Sequence, residues 1–257
     1  MEKPLIFVTN DDGISSPGIL FLVSIAKQFG EVVVIAPDSP QSGMGHAITI
    51  NSTIRVNEIL KTSNKEIYSC TGTPVDCIKM AMNKFAKKKP DLIVSGINHG
   101  SNSSINVIYS GTMSAAMEGC IEGVPSIGFS LCNYSYEADF ETSKPYIKQI
   151  AAKVLKEGLP EGTCLNVNIP SVAAEEIKGI KICRQAYAKY EEDFVERKDP
   201  HGRKYFWLTG EFVNFDKGKD TDVWALAHNY VSVVPVQFDM TNYVLKSKFE
   251  NTWQHLS

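Results

Sequence analysis

Apolar and polar positions along the chain fall into two alternating rhythms. Short runs of consecutive apolar and β-branched residues recur at Leu5–Thr9, Glu31–Ala36, Asp91–Gly96, Pro125–Leu131 and Cys164–Ile169. Each is bounded by turn residues and is apolar almost throughout, which is the pattern of a strand buried on both faces. Other stretches carry apolar residues three and four apart. These are Ile19, Leu22, Val23, Ala26 and Phe29 after Pro17-Gly18, and Val75, Ile78, Met82 and Phe85 after Pro74. Both read as helices with one inward face, and proline suits the first helical position. A small-residue helix starting at Thr112 and a further helix over Glu141–Lys156 are expected as well. Strand, helix and strand with continuously apolar strands form a βαβ unit, hence a parallel sheet with right-handed crossovers. The pattern therefore predicts an α/β fold with a doubly wound, mainly parallel, Rossmann-like sheet. Two more strands are expected over Ala47–Val56 and Glu66–Cys70.

The later chain changes character. Ile177–Phe215 alternates, is rich in Tyr, Phe and Trp, and carries the turn Asp199-Pro200-His201-Gly202; it reads as a β-rich excursion. The tail from Thr241 to Ser257 is amphipathic, with Tyr243, Val244, Leu245, Phe249 and Trp253. Such a segment packs on its own core or on a neighbouring subunit. One domain over 1–257 is expected, divided into a core at 1–176, the excursion at 177–215, and a return to the core with an oligomerisation tail at 216–257.

Composition narrows the class. The chain has 257 residues, 43% of them hydrophobic and 21% charged, with a formal net charge of -3. That balance argues against a nucleic-acid-coating surface. The compact basic run Lys87-Lys88-Lys89 precedes Pro90 and fits a solvated helix end. Six cysteines form no Cys-x-x-Cys pair, and several lie inside apolar runs. With no leader-like start and no apolar stretch long enough to span a bilayer, a reduced, cytoplasmic protein away from membranes is expected.

Candidate chemistry sits where buried strands end. The first strand stops at Asn10-Asp11-Asp12-Gly13. Two adjacent carboxylates at such a position repel and are costly to bury without a positive partner. A hard divalent cation such as Mg²⁺ or Mn²⁺ would supply that partner; a polar turn in which Asp caps the next helix is the other reading. Three more polar loops follow strands or lead into a helix: Gln41–His46, Ser95–Asn102 and Tyr109–Thr112. Ser42 and Asn98 carry neutral oxygens of the kind that complete a Mg²⁺ or Mn²⁺ shell beside carboxylates. Ser110, Gly111 and Thr112 offer hydroxyls and backbone N–H groups at a helix N-terminus, an anion site. Taken singly, each loop also has a bland reading as flexible surface, helix cap or turn. Their shared position at strand ends, where doubly wound sheets bind ligands, favours a phosphate pocket. His46 and His99 lie in the same loops, as leaving-group acids or as structural side chains.

In order along the chain, Val8–Gly13, Ala36-Pro37-Asp38 with Gln41-Ser42-Gly43, Cys70–Pro74, Ser95–Asn98 and Tyr109–Thr112 resemble the signature blocks of the SurE family. Leu165–Pro170, Thr221-Asp222 and Val231–Pro235 resemble the later ones. These are stationary-phase survival proteins, metal-dependent 5′/3′-nucleotidases. The resemblance implies one divalent metal on Asp11, Asp12, Ser42 and Asn98, and hydrolysis of nucleoside monophosphates. It also implies a homodimer or homotetramer that exchanges C-terminal elements. Catalytic roles fall on Asp11, Asp12 and Asn98, with Asp11 favoured as ligand and base, and phosphate contacts on Asn98, Ser110, Gly111 and Thr112. The chain departs from the family pattern at Ser104 and Asn106, where Gly and Asp are usual. The tyrosines of the excursion, among them Tyr187, Tyr190 and Tyr205, suit either base stacking or interface packing. Rival readings are a phosphatase of other phosphoesters or short polyphosphate, and a non-catalytic nucleotide-binding module. A haloacid-dehalogenase phosphatase fits less well, because its carboxylates are spaced Asp-x-Asp rather than adjacent.

Overall fold

The structure is a computed structural model that describes residues 3–253. The last four residues of the expected tail, 254–257, and the first two of the expected core lie outside that range. In chain order the elements are β1 (Leu5–Thr9), α1 (Pro17–Ala26), β2 (Glu31–Pro37), β3 (Val56–Lys61), β4 (Lys65–Cys70) and α2 (Pro74–Met80). There follow β5 (Leu92–His99), α3 (Asn106–Tyr109), α4 (Gly111–Ile121), β6 (Ser126–Leu131), α5 (Lys144–Glu157), β7 (Thr163–Ile169) and β8 (Ile180–Ile182). The chain closes with β9 (Ala188–Lys198), β10 (Lys204–Asn214), α6 (Asp222–Ala227), β11 (Val231–Gln237) and α7 (Tyr243–Thr252). Nine strands form one sheet in the order β3-β4-β2-β1-β5-β6-β7-β11-β8.

From β4 to β7 every pairing is parallel; β3 and β11 run antiparallel to β4 and β7. Successive residues of β1 serve different cores. Ile6 and Val8 pack with Ile19 and Leu22 of α1 and Ile147 and Ile150 of α5. Leu5 and Phe7 pack with Cys77 and Ile78 of α2 and Ala115 of α4. The two-residue period of a strand thus feeds two helical layers, and each fully buried chain such as Phe7 contributes about 1.5–3 kcal/mol. This is the mainly parallel α/β sheet expected from the apolar runs. All six cysteines carry free thiols. Among the described residues no helix is long and apolar enough to cross a membrane.

Some expected boundaries move, each for a physical reason. Ala47–Val56 is not a strand. Its backbone is drawn toward the start of α2, where the Thr49 N–H and hydroxyl donate to Asp76 at 3.1 and 2.5 Å and the Thr73 hydroxyl donates to the Ala47 carbonyl. The edge strand begins at Val56 instead. The helix from Pro74 ends in a π-turn over Ala81–Phe85 that brings Phe85 onto the Tyr68 ring, 4.4 Å between centroids. Within the aromatic stretch, β8 pairs with β11 in the main sheet, and β9 and β10 alone form a separate antiparallel hairpin.

The strand from Asp91 does not stop at Gly96. It continues to His99 because an extra residue is taken up beside β6, where the register jumps between Ser95 and Asn98. Gly96 makes this bulge possible at a φ of +128°, and a Cβ there would lie 2.3 Å from the Phe129 carbonyl oxygen. Since β1 leads to β2 and β4 on one side and β5 resumes on the other, the winding reverses between β1 and β5. Ligand crevices of such sheets open at this point, outside the carboxyl ends of the strands. Gly96→Ala should therefore lower stability by about 2 kcal/mol or more, through overpacking and a left-handed backbone. Urea unfolding followed by circular dichroism measures it, and an unchanged midpoint would show that the bulge tolerates a side chain.

Candidate active site at the β1–β5 crevice

The residues singled out at strand ends are held on three sides of this crevice. Asp11 and Asp12 follow β1, Asn98 lies near the end of β5, and Ser110–Thr112 begin α4. The loop with Ser42 leaves β2 and is pinned beside them, Gln41 N–H donating to the Asp11 carbonyl at 2.7 Å.

Asp11 is 3% exposed. Its carboxylate accepts a short hydrogen bond from the Thr112 hydroxyl. A Cβ on Gly111 would fall 2.7 Å from its Cβ, so only glycine lets α4 come this close. Burial pushes the Asp11 carboxyl up, while the Thr112 hydroxyl and the backbone N–H groups of Thr112 and Gly111 act against that rise. The first turn of α4 thus grips Asp11 itself, as helix N-termini grip anions. Asp12 is half-buried and accepts a long bond, 3.4 Å, from the His99 N–H. Burial first, then the charge of Asp11, pushes it up to about 6. Among the described residues no lysine or arginine contributes to either shift, and His99, which opposes the rise at Asp12, does not outweigh burial and the Asp11 charge.

The neutral candidates differ in what they leave free. The Asn98 amide donates to the carbonyls of His99 at 3.2 Å and Gly100 at 2.9 Å, which leaves its Oδ1 unengaged. Ser42 is exposed, and its hydroxyl makes no hydrogen bond among the described residues. Ser110 caps α4, its hydroxyl oxygen accepting the Met113 N–H at 3.0 Å while its own proton is uncommitted. As placed, the donors of Asn98, Gly111 and Thr112 are spent within the protein, and Ser110 keeps one to offer. Among the described residues no three His, Cys, Asp or Glu side chains cluster as a metal cage. A cation here would rest on two carboxylates and neutral oxygens, a donor set for a hard ion.

The histidines part company. His46 Nε2 meets Glu118 at 2.9 Å, and Lys79 holds the other Glu118 oxygen. Burial alone would raise the Glu118 carboxyl, yet the bonds from His46 and Lys79 bring it below its ordinary value. His46 is therefore a tether for the Ser42 loop rather than a group aimed at the crevice. His99 stays at the site: Nδ1 lies 2.9 Å from the Ser135 carbonyl, so it carries the proton, and its buried Nε2 has no partner. The roles of Glu118, Lys79 and Asp76 were not inferred from the sequence. Thr73-Pro74-Val75-Asp76 is a capping-box pattern that points to Asp76. Glu118, the lone charge in the small-residue run of α4, carried a fainter signal of a buried, paired acid.

Comparisons with known proteins bear on this site. Residues 6–192 match the family described as survival protein SurE. The chain is 66% identical over 243 residues to the 5′-nucleotidase SurE of Flavobacterium psychrophilum, covering 94% of each chain. It is 63% identical over 242 residues to the 5′-nucleotidase SurE of Christiangramia forsetii, covering 93% of each. In structure it is similar to the SurE protein of Aquifex aeolicus, with a TM-score of 0.84 and 40% identity over 98% of this chain and 100% of that one.

The raised carboxyls make a pH prediction. Their unfolded value is near 3.8 and Asp12 stands at about 6 when folded, so the unfolded state loses its proton first. The contribution of Asp12 to stability is fully present below pH 4 and is lost as pH rises through 6. In EDTA at pH 8, Asp12→Asn should be more stable than the parent by about 1–2 kcal/mol, allowing for partial exposure. The gap should close near pH 4 in urea melts; a gap independent of pH would mean Asp12 is not strained by its surroundings.

Proposed function

The chain belongs to the SurE family, and from that premise we propose that it is a metal-dependent phosphomonoesterase. Its substrates are nucleoside 5′-monophosphates, and 3′-monophosphates at the same centre. The observation that carries the reading is the pair Asp11–Asp12, sunk at the reversal point of the sheet with no lysine or arginine among the described residues to offset it. The nucleotidase class is that of the relatives named above, the nearer of which is two-thirds identical to this chain.

The residues fit one Mg²⁺ or Mn²⁺. Asp11 and Asp12 supply charge, and the unengaged Asn98 Oδ1 and the free Ser42 hydroxyl supply neutral oxygens. When bound, the cation supplies a Lewis acid for a phosphoryl oxygen and cancels the repulsion between the carboxylates. The protein does the rest. Thr112 and the first N–H groups of α4 fix Asp11 in one orientation, which removes the reorganisation a free carboxylate would need. Asp12 has only one long bond, so its lone pairs are the freer ones to accept a proton from a water attacking phosphorus. Ser110 has a hydroxyl proton to donate to a phosphoryl oxygen. Gly111, Thr112 and the Asn98 amide act at one remove, by holding the groups that meet the phosphate.

The exposed apolar side chains of β9–β10, of α7 and of its C-cap, among them Phe206, Trp207, Val244 and Trp253, support assembly into a homodimer or homotetramer in which these C-terminal elements are exchanged.

Phosphate release from a panel of nucleoside 5′- and 3′-monophosphates, with Mn²⁺ or Mg²⁺, is the direct test. Turnover should vanish in EDTA and fall at least about a hundredfold in Asp11→Asn. Activity that survives both treatments would remove the metal and Asp11 from the mechanism. Thr112→Val should cost about 10–100-fold in kcat through loss of its grip on Asp11, and Thr112→Ser should restore most of it. Equal rates in Thr112→Val and the parent would make that hydrogen bond incidental.

A further inference from the structure

The search for what holds the rest of a nucleotide leads away from the excursion and to a loop not singled out in the sequence. After β6 the chain turns at Cys132–Ala138 and lies over the end of β5. Tyr134 rests on Gly100, where even a Cβ would fall 2.2 Å from the ring. Tyr136 packs on the His99 ring at 5.7 Å between centroids and a tilt of 37°. His99 and Gly100 directly follow Asn98, and the His99 N–H reaches Asp12. Two large rings are thus built onto the backbone that borders the carboxylate pair.

Both rings are nevertheless open. Tyr134 is 72% and Tyr136 80% exposed. The loop beneath them is not loose. Asn133 accepts the Ser135 N–H at 2.9 Å, the Ser135 hydroxyl oxygen accepts the Glu137 N–H at 3.1 Å, and the Ser135 carbonyl meets His99. Fixing a loop so that it presents apolar ring faces to water has no benefit to packing within this chain. It does have a benefit to a flat, polarisable ligand, because little ordering entropy remains to be lost on binding.

We propose that Tyr134 and Tyr136 form the shelf on which the base of the nucleotide stacks while its phosphate lies at Asp11 and Asp12. This rests on the nucleotidase reading and deepens it. Stacking on tyrosine is tolerant of base identity, since every base has a π face. The shelf therefore favours nucleotides over smaller phosphoesters without selecting strongly among bases. Tyr136, lying on His99, is the principal contact; Tyr134, lying on Gly100, extends the surface.

The test compares adenosine 5′-monophosphate with ribose 5-phosphate, which keeps the sugar and the phosphoester and lacks the base. In the intact protein with Mn²⁺, Tyr136→Ala should raise KM for the nucleotide about 5- to 100-fold with kcat largely kept. Its kinetics on ribose 5-phosphate should not change, and Tyr136→Phe should behave as the parent does. A loss shared equally by both substrates, or by neither, would overturn the shelf. So would a fall in molecular mass in solution with unaltered nucleotide KM, which would assign the rings to contact between copies. A second measurement needs no turnover: saturation transfer from the protein to the base protons of adenosine should be strong in the parent and lost in Tyr136→Ala. That pattern in a protein that hydrolyses no nucleotide would keep the shelf and sink the nucleotidase reading. Equal transfer in both proteins would sink the shelf alone.

Discussion

Asp11 is held by a helix that begins a hundred residues later in the chain, and the arrangement of the site depends on that grip. The end of β1 would otherwise present a buried carboxylate with nothing to replace its water. The Thr112 hydroxyl and the first N–H groups of α4 replace it. Gly111 permits the approach, and Ser110 caps the same turn so that its donors point one way. Because α4 also packs on β5 and β6, the carboxylate inherits the rigidity of the sheet. Asp12, next along, is denied this partner and keeps the strain that an external cation can relieve.

The remaining loops are brought to the crevice by buried acids that take no part in it. Asp76 closes the capping box of α2 and at the same time accepts both donors of Thr49. Glu118 is flanked by His46 and Lys79. Between them they fasten both the near and the far part of the segment that carries Ser42. Such ion pairs contribute little net stability, since desolvation offsets much of their attraction. What they contribute is position: an exposed, hydrogen-bond-free hydroxyl on an anchored loop is available to a ligand in a way that one on a free loop is not.

How much of this could be read from the chain follows from the range of the forces involved. Buried parallel strands announce themselves locally, so β1, β2, β5, β6 and β7 were legible from their apolar runs, and with them the crevice at their ends. Asp11, Asp12, Asn98 and the start of α4 were legible as a group for the same reason. The strand expected over Ala47–Val56 was not formed because Asp76 and Thr73, some 25 residues on, took its backbone; no local pattern reports that competition. The extension of β5 past Gly96 depends on accommodation against Phe129. Ser110–Thr112 were read as donors to a phosphate; that Gly111 and Thr112 meet the protein's own Asp11 is a tertiary fact. Likewise the tyrosines read as suited to base stacking or interface packing lie on the hairpin or at its root, whereas Tyr134 and Tyr136, packed on Gly100 and His99, sit in a loop with no periodicity to draw the eye.

The β9–β10 hairpin shows what a departure from the family pattern can do. A two-stranded ribbon with most of its side chains in water is marginal by itself. Its root is clamped by Asp222, which accepts the N–H groups of Ser104 and Ala186 at 2.7 and 2.9 Å. Ser104, where the resemblance implies glycine, has a φ of +54°, a conformation that costs a residue with a Cβ about 1 kcal/mol. In exchange its hydroxyl lies 2.9 and 3.0 Å from the carbonyls of Ala186 and Ala188 and accepts the Ala188 N–H at 3.1 Å. A glycine could adopt the turn without strain but could not make these bonds. The serine therefore exchanges local backbone comfort for a firmer junction between the hairpin and the loop that leads into α4. That junction connects a largely exposed hairpin to the helix that holds Asp11.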